Sequence, residues 1–590
     1  MFRLFRIFCA CLLLQTQVQA IWNPIIPGWN PDPSILRVED DYYLATSSFE
    51  YWPGIPIYHS KDLSNWTLKS HALTRPEQLQ LYGTPTTAGR IFASMDFIFN
   101  YVSLIASETG VWAPSLSYFD GKFWLAAMTR WTYDSVARVW PRVWFISSDD
   151  LETWSDPIWA EPWGIDPELF RDPVSNRTFL NLMAPNNNQD RVWGLCQCQV
   201  SLSSGNCVGP YISLWNGSLP HNDTSRPEGP KMYYKDKWYY LLIAEGGTDL
   251  QHRSTISRSR SPSGPFVSYP RNPLLFNGRW GFGNLTVQST GHATLLETAD
   301  GHWYASFLAR RNVKGKSPLG REAFLTNVDW SNGWPIFNKG DPILLSEQVE
   351  PKTGPRHILP DWVDTFGSPS LDPSWYQLRT PYTKNYHLQQ GRLILNPNVF
   401  GLSDRDTPAA LLRKQRSLNM TWSAELSAFK GILGPRNRVG ISSYLSEFQH
   451  QDIGIRGCVN QTGMCIYTEL NVNNTQQYCQ TPLNQTRGLR EGLKLHIQAD
   501  PLRYHLGYSV GEDKPTFVTS IASSWQAFAP PNWLVFTGVS FALFATGDGE
   551  PWPYNAPQVG FKKVWETYHQ ESIPDYDQWE DINMPRRDAH

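Results

Sequence analysis

The sequence predicts an all-β protein, a five-bladed β-propeller followed by a β-sandwich, and three observations lead there. Five segments in the first 345 residues are variants of one another. Helical periodicity is scarce, whereas short β-branched and aromatic runs alternate with turn residues along the whole chain. Beyond residue 363 such runs continue without the repeat, at roughly ten-residue intervals, which is the texture of an antiparallel sandwich.

The five segments are Asn30-Pro-Asp-Pro-Ser-Ile, Val111-Trp-Ala-Pro-Ser-Leu, Gly164-Ile-Asp-Pro-Glu-Leu, Pro227-Glu-Gly-Pro-Lys-Met and Thr290-Gly-His-Ala-Thr-Leu, each followed by a turn and another strand-like run. Counted from Asp32 to Trp112, Asp166, Glu228 and His292, the spacings are 80, 54, 62 and 64 residues, the size of a four-stranded blade with long connections. In a propeller the innermost strands converge on one axis. Asp32, Asp166 and Glu228 are therefore expected to meet in a central cavity, although nearly 200 residues separate the first from the last.

The first spacing is too long, and its excess can be located. Residues 90–109, between Gly89 and Gly110, form an apolar stretch of 20 residues without Gly or Pro, and subtracting it turns 80 into 60. The stretch reads either as a retained intron translated in frame or as a lid-like insertion. Sequencing the transcript separates the two.

Residues 1–20 carry Arg3 and Arg6, an apolar run over 7–14 and a small-residue cleavage pattern ending at Ala20, so a signal peptide is expected, with the mature chain starting near Ile21. Nine Asn-x-Ser/Thr sequons, at Asn65, Asn176, Asn216, Asn222, Asn284, Asn419, Asn460, Asn473 and Asn484, agree with a secreted, extracellular glycoprotein. No other segment approaches membrane-spanning length. A net charge of −3 and the absence of a basic run interleaved with aromatics argue against a nucleic-acid partner. With 27 Trp, the chain has many flat apolar faces suited to stacking on sugar rings, most of them assignable to blade cores.

Some 550 mature residues exceed a single core, so two domains are expected. The propeller is assigned to 21–345, a polar, proline-bearing linker to 346–363, the sandwich to 364–570 and a tail to 571–590. Six cysteines remain after cleavage, in two groups of three. Cys198 with Cys207 and Cys458 with Cys465 would each close a short hairpin, leaving Cys196 and Cys479. Zinc ligation lacks a second pair or a histidine at ligand spacing.

Several longer motifs carry a resemblance. Asn23-Pro-Ile-Ile-Pro-Gly-Trp-Asn-Pro-Asp-Pro-Ser-Ile, Asp41-Tyr-Tyr-Leu-Ala-Thr-Ser-Ser-Phe-Glu and Pro56-Ile-Tyr-His-Ser-Lys-Asp-Leu-Ser-Asn-Trp resemble the opening of glycoside hydrolase family 43. Ile243-Ala-Glu-Gly-Gly-Thr and Pro318-Leu-Gly-Arg-Glu-Ala are similar to later motifs of that family. The segment Asp364-Thr-Phe-Gly-Ser-Pro through Leu378-Arg-Thr-Pro resembles the start of the concanavalin A-like sandwich of its β-xylosidase branch. The resemblance implies an exo-acting, inverting β-D-xylosidase, α-L-arabinofuranosidase or both, acting on xylo-oligosaccharides or arabinoxylan fragments.

Inverting hydrolysis needs one carboxylic acid for the leaving oxygen and one carboxylate for water on the opposite face, roughly 6.5 to 9.5 Å apart. Asp32 is assigned as general base, Glu228 as general acid and Asp166 as the carboxylate that raises the acid's pKa, as the family pattern also implies. Glu245 is the rival acid. The resemblance places Arg321 against the bound sugar, with a surface ion pair to Glu322 as the alternative, and makes Phe49 and Trp112 walls of the sugar subsite. His292 shares the repeat position of Asp32. In some family members a histidine here holds calcium or another divalent ion in the channel, and a channel-lining hydrogen-bonding histidine is the other reading. The reaction itself requires no cofactor. The sandwich of this branch lends an aromatic residue to the pocket, but in Phe536-Thr-Gly-Val-Ser-Phe a serine, Ser540, stands at the expected position. A glycan-binding propeller without catalysis and a retaining fructan hydrolase, whose carboxyl groups would stand only about 5 to 5.5 Å apart, are the competing classes.

Overall fold

The computed structural model describes residues 22–81, 110–130, 141–185, 193–220, 225–280, 285–345, 359–472, 475–483, 491–529 and 533–569. The expected signal peptide, the 90–109 insertion, residues 346–358 of the linker, the tail, and the sequons at Asn222, Asn284, Asn473 and Asn484 lie outside these residues. Strands dominate, and helix is confined to turns a few residues long.

Five four-stranded antiparallel sheets follow one another, each laid down in chain order. Their first strands are Ser34–Val38, Gly110–Phe119, Ile165–Arg171, Glu228–Lys235 and Val287–Glu297. Each of these touches the first strand of the next sheet, and the fifth returns to the first, so the inner strands close a ring. The closure is fastened by the N-terminal segment. Asn23 exchanges side-chain bonds with the backbone of Leu325 at 2.8 and 2.9 Å, and Ile25 N–H donates to Ala323 O at 2.9 Å. Between sheets the strands bury β-branched and aromatic side chains, as with Ile57, Leu125, Trp144 and Ile146 between the first and second.

The rest of the chain forms two facing antiparallel sheets of six and eight strands. Trp422, Ile441, Leu495, Ile497, Phe541, Leu543 and Phe561 fill the space between them. In the eight-stranded sheet these residues alternate with polar ones, as Trp422 with Thr421 and Ser423, following the two-residue period of a strand, whereas the outer face of the six-stranded sheet, with Tyr444, Ala542 and Phe544, is buried against the first unit. Cys198–Cys207 and Cys458–Cys465 are bonded, Cys196 is buried and Cys479 exposed.

What positions the site is the junction between the two units. Tyr51–Trp52 pairs with Gln377–Leu378 in a two-stranded ladder that crosses it. One apolar cluster runs through both units, joining Trp29, Phe49, Tyr51 and Trp112 to Tyr376, Leu412, Tyr444 and Phe544. Fully burying each such side chain contributes roughly 1.5–3 kcal/mol, so this interface resembles a core rather than a transient contact. At its rim the backbones nearly touch. A Cβ on Gly320 would fall 2.3 Å from Thr537 O, and one on Gly538 would fall 2.4 Å from Leu319 O, so only glycine fits at either position.

Candidate active site

The sequence repeat corresponds to a repeated backbone irregularity. Near the start of each inner strand the third residue of the repeated segment adopts a left-handed conformation, Asp32 (φ 55°), Ala113 (φ 38°), Asp166 (φ 52°), Gly229 (φ 60°) and His292 (φ 52°), and in the fifth strand Ser289 (φ 56°) does so as well. In the second to fifth sheets the pairing register breaks there, as between Glu228 and Lys231 or Gly291 and Thr294. Such a bulge inserts one residue and re-aims its neighbours, here toward the ring axis. Asp, His and Gly are among the residues that tolerate this conformation best. The equivalence expected from sequence is thereby corrected at two points: Trp112 and Glu228 stand one residue before the bulge position, which Ala113 and Gly229 occupy.

The three carboxyl groups converge. Asp32 Oδ2 accepts from Ser47 Oγ at 2.6 Å, and Asp32 Oδ1 accepts from Arg321 Nη1 at 3.2 Å. His292 Nδ1 lies 3.8 Å from Asp32 Oδ1 and 3.9 Å from Asp166 Oδ2, so one imidazole spans both acids. Its ring fills the space beside Gly229, where a Cβ would come within 3.0 Å of it. Ser47 Oγ also accepts from Ala113 N–H at 2.7 Å, tying the base loop to the second sheet. The Gly229 N–H donates to the Asp166 carboxylate.

These contacts separate the acids electrostatically. Burial would raise Asp32, but Arg321, His292 and the Ser47 bond outweigh it and hold the carboxyl below its ordinary value. Burial and the charge of Asp32 push Asp166 up to about 7, against the pull of Lys231. Glu228 is pushed well above the usual glutamate range, first by burial and then by Asp166, with Arg226 opposing and Asp32 adding to it. Burial depresses His292 to about 4 and His252 to about 3, so both imidazoles are neutral near pH 7. The site thus favours the ionised form of Asp32 and biases Glu228 toward its protonated form.

Aromatic rings wall the cavity. Phe49 and Trp112, both expected there, are buried, and Phe536 of the second unit joins them, 6.3 Å from Phe49 and 5.7 Å from Trp112 between ring centroids. Arg321 lies 4.8 Å above the Phe536 ring and donates through Nε to the Phe536 carbonyl at 3.1 Å. The doubt raised by Ser540 is resolved by this shift of four residues, because the loop delivers its first aromatic. Ser540 instead accepts from Trp29 Nε1 at 3.2 Å, below the pocket. Ser47, Thr248 (3.1 Å from Arg321 Nη1), Lys231 and Phe536 are site residues to which the sequence assigned no role, although each lies inside a motif quoted above.

Two alternatives fall away. Glu322 pairs with Arg311 at 2.7 and 2.9 Å, leaving Arg321 to Asp32. Glu245 accepts from Ser218 N–H, Leu219 N–H and Thr255 Oγ1 at 2.7, 3.0 and 2.5 Å, the bonding of a carboxylate that holds a loop. A hard divalent ion takes six or more oxygen ligands. His292 offers one nitrogen, and among the described residues no group of three or more His, Cys, Asp or Glu could hold a metal ion. The described residues form no protein cage for the divalent ion that is one of the two readings of His292.

Three carboxyl groups of unequal proton affinity, brought together beside the Phe49, Trp112 and Phe536 rings, define a glycosidase. The profile of the glycosyl hydrolases family 43 matches residues 21–335, and that of the beta xylosidase C-terminal concanavalin A-like domain matches 363–553. The chain belongs to glycosyl hydrolase family 43. A non-reducing end alpha-L-arabinofuranosidase of Bacteroides ovatus is 31% identical over 540 residues, covering 90% of this chain and 92% of that protein. A beta-xylosidase of Bacillus subtilis is 32% identical over 425 residues, covering 68% and 72%. Among solved structures, a xylan beta-1,4-xylosidase from Bacillus halodurans superposes with a TM-score of 0.79 at 28% identity, covering 92% of this chain and 99% of that one.

Proposed function

We propose that this chain is an exo-acting, inverting β-D-xylosidase built on a five-bladed propeller, releasing xylose, and arabinose from the same pocket, from xylo-oligosaccharides and arabinoxylan fragments. The observation that carries the reading is the opposed proton affinity of Asp32 and Glu228, the one held below and the other pushed above the ordinary carboxylate range, on the first and fourth inner strands. These strands are not neighbours in the ring, which leaves the gap that an attacking water requires.

In the reaction proposed, a terminal sugar lies against Phe49, Trp112 and Phe536, with Arg321 on its hydroxyls. Water on the Asp32 side gives a proton to that carboxylate as its oxygen bonds to the anomeric carbon. The glycosidic bond breaks on the other face, and the leaving oxygen takes the Glu228 proton. Asp166 keeps Glu228 protonated until that moment. One turnover leaves Asp32 protonated and Glu228 ionised, and solvent exchange restores both. The expected signal peptide and the sequons support secretion of the enzyme.

A second reading, arabinofuranosidase as the main activity, is favoured by the Bacteroides ovatus relative, which matches nearly end to end. Purified protein assayed on p-nitrophenyl β-xyloside and α-arabinofuranoside ranks the two. NMR of the first-formed sugar tests inversion, since a β-xyloside must yield α-xylose first. Asp32→Asn is expected to lower kcat by roughly 10² to 10⁴. Activity within threefold of wild type would remove Asp32 from the mechanism.

A further inference from the structure

Asn30, two residues before the proposed base, is the most heavily bonded side chain in the site. Its backbone N–H donates to Arg321 O at 2.8 Å, and its Nδ2 donates to Gly28 O at 3.0 Å. Its Oδ1 accepts from Tyr58 OH at 2.7 Å, Lys414 Nζ at 2.9 Å and Thr46 Oγ1 at 3.4 Å. Asn30 therefore couples the turn that aims Asp32 to the backbone that carries Arg321, the two sides of the 3.2 Å ion pair.

One of those donors comes from the other domain. Lys414 ends the sandwich strand Ala409–Lys414, and its register partner across the sheet is Ser540. The two side chains grip consecutive residues of the propeller. Ser540 accepts the Trp29 indole N–H, while the Lys414 ammonium lies 4.0 Å from the Trp29 ring centroid and bonds Asn30. Tyr376, also from the second unit, completes the enclosure, 5.3 Å from Lys414 Nζ. Lys414 is buried at 6% exposure, and burial alone pushes its pKa well below the lysine range, with no carboxylate opposing it. Placing a lysine there costs desolvation that a methionine of similar length would avoid. Among the described residues its hydrogen bond to Asn30 and the ring faces of Trp29 and Tyr376 are what is set against that cost.

We propose that Lys414 is a positioning residue of the active site, a sandwich-borne strut that acts through Asn30 to hold Asp32 and Arg321 in register. The assignment rests on the hydrolytic reading above, so wild-type turnover is established first and every variant is compared with it. Losing the strut frees the Asn30 turn, and Asp32 drifts from Arg321 and Ser47, the partners that keep it ionised.

Lys414→Met keeps the stem and removes the donor. Turnover of p-nitrophenyl β-xyloside should fall 10- to 100-fold with KM changed less than threefold. The acidic limb of the kcat/KM profile should move to higher pH, because Asp32 loses stabilisation of its charged form. A strut that merely holds the domains together would lower Tm and leave that limb in place. In an Asn30→Ala background the Lys414→Met effect should vanish, since both act on one linkage. Should Lys414→Met fail to fold, Lys414→Gln decides: its shorter arm should cut kcat at least threefold with the same displaced limb. Unmoved kcat and acidic limb in the folded variant, or additive losses in the double variant, overturn the assignment.

Discussion

Arg321→Gln tests the electrostatics of the site most directly. The guanidinium Nη1 stands 3.2 Å from Asp32 Oδ1, and both side chains are buried, 6% and 7% exposed. Solvent therefore screens the pair little. Unit charges at 4 Å interact by about 4 kcal/mol at an effective dielectric of 20, equivalent to about 3 pKa units. Ser47 and His292 remain beside Asp32 in the variant, so the expected rise is roughly 1 to 3 units. Asp32 serves as base only when ionised, and the acidic limb of kcat/KM should move up in pH by that amount. Stability should reverse its pH dependence at this group. In the wild type the depressed pKa of Asp32 adds stability above the unfolded value near 3.8, and the gain is lost as pH falls through the lower folded value. In the variant the folded pKa is the higher one, so stability is fullest below the unfolded value and is lost as pH rises through the folded value. Titrating kcat/KM on an aryl glycoside and Tm from about pH 2 to pH 8, a range that spans both the lowered and the raised pKa, measures both. An acidic limb displaced by less than about 0.3 unit would refute the claim that Arg321 sets the charge of Asp32.

Three further outcomes are expected. Glu228→Ala should impair xylobiose far more than an activated aryl xyloside, whose phenolate leaves with little protonation, and equal losses on both would remove Glu228 as the acid. Asp166→Asn deletes a negative charge that raises Glu228, so the alkaline limb should move to lower pH, and a stationary limb would contradict the assignment. Phe536→Ala opens the wall between Trp112 and Arg321 and should raise KM for the terminal sugar, with the Asp32 limb unmoved. An unchanged KM would show that the sandwich ring makes no contact with substrate.

Much of the candidate site was legible because the chain repeats itself. A four-stranded sheet must return to the axis at a near-constant interval, so five like segments at blade spacing announce five inner strands before any coordinates exist. Where the repeat carries Asp32, Asp166 and Glu228, convergence follows from that geometry. The hairpin disulfides were equally readable, since nine and seven residues separate their partners and the turn between them is local. The bulge register was readable in the six-residue segments, whose third positions are Asp32, Ala113, Asp166, Gly229 and His292, but not in the spacings counted to Trp112 and Glu228.

The sequence by itself determined the strand content, the order of the two units and the three acids, because strand periodicity and turn chemistry act over a few residues. Only the tertiary structure decided how the second unit enters the site. Phe536 rather than a residue at 540 walls the pocket, Ser540 receives Trp29, and Lys414 reaches Asn30 across 384 positions of chain. Those outcomes turn on how closely two backbones approach at Gly320 and Gly538, where any side chain would hold the domains apart. A distance of that kind is set by the packing of the whole interface, and no local pattern records it.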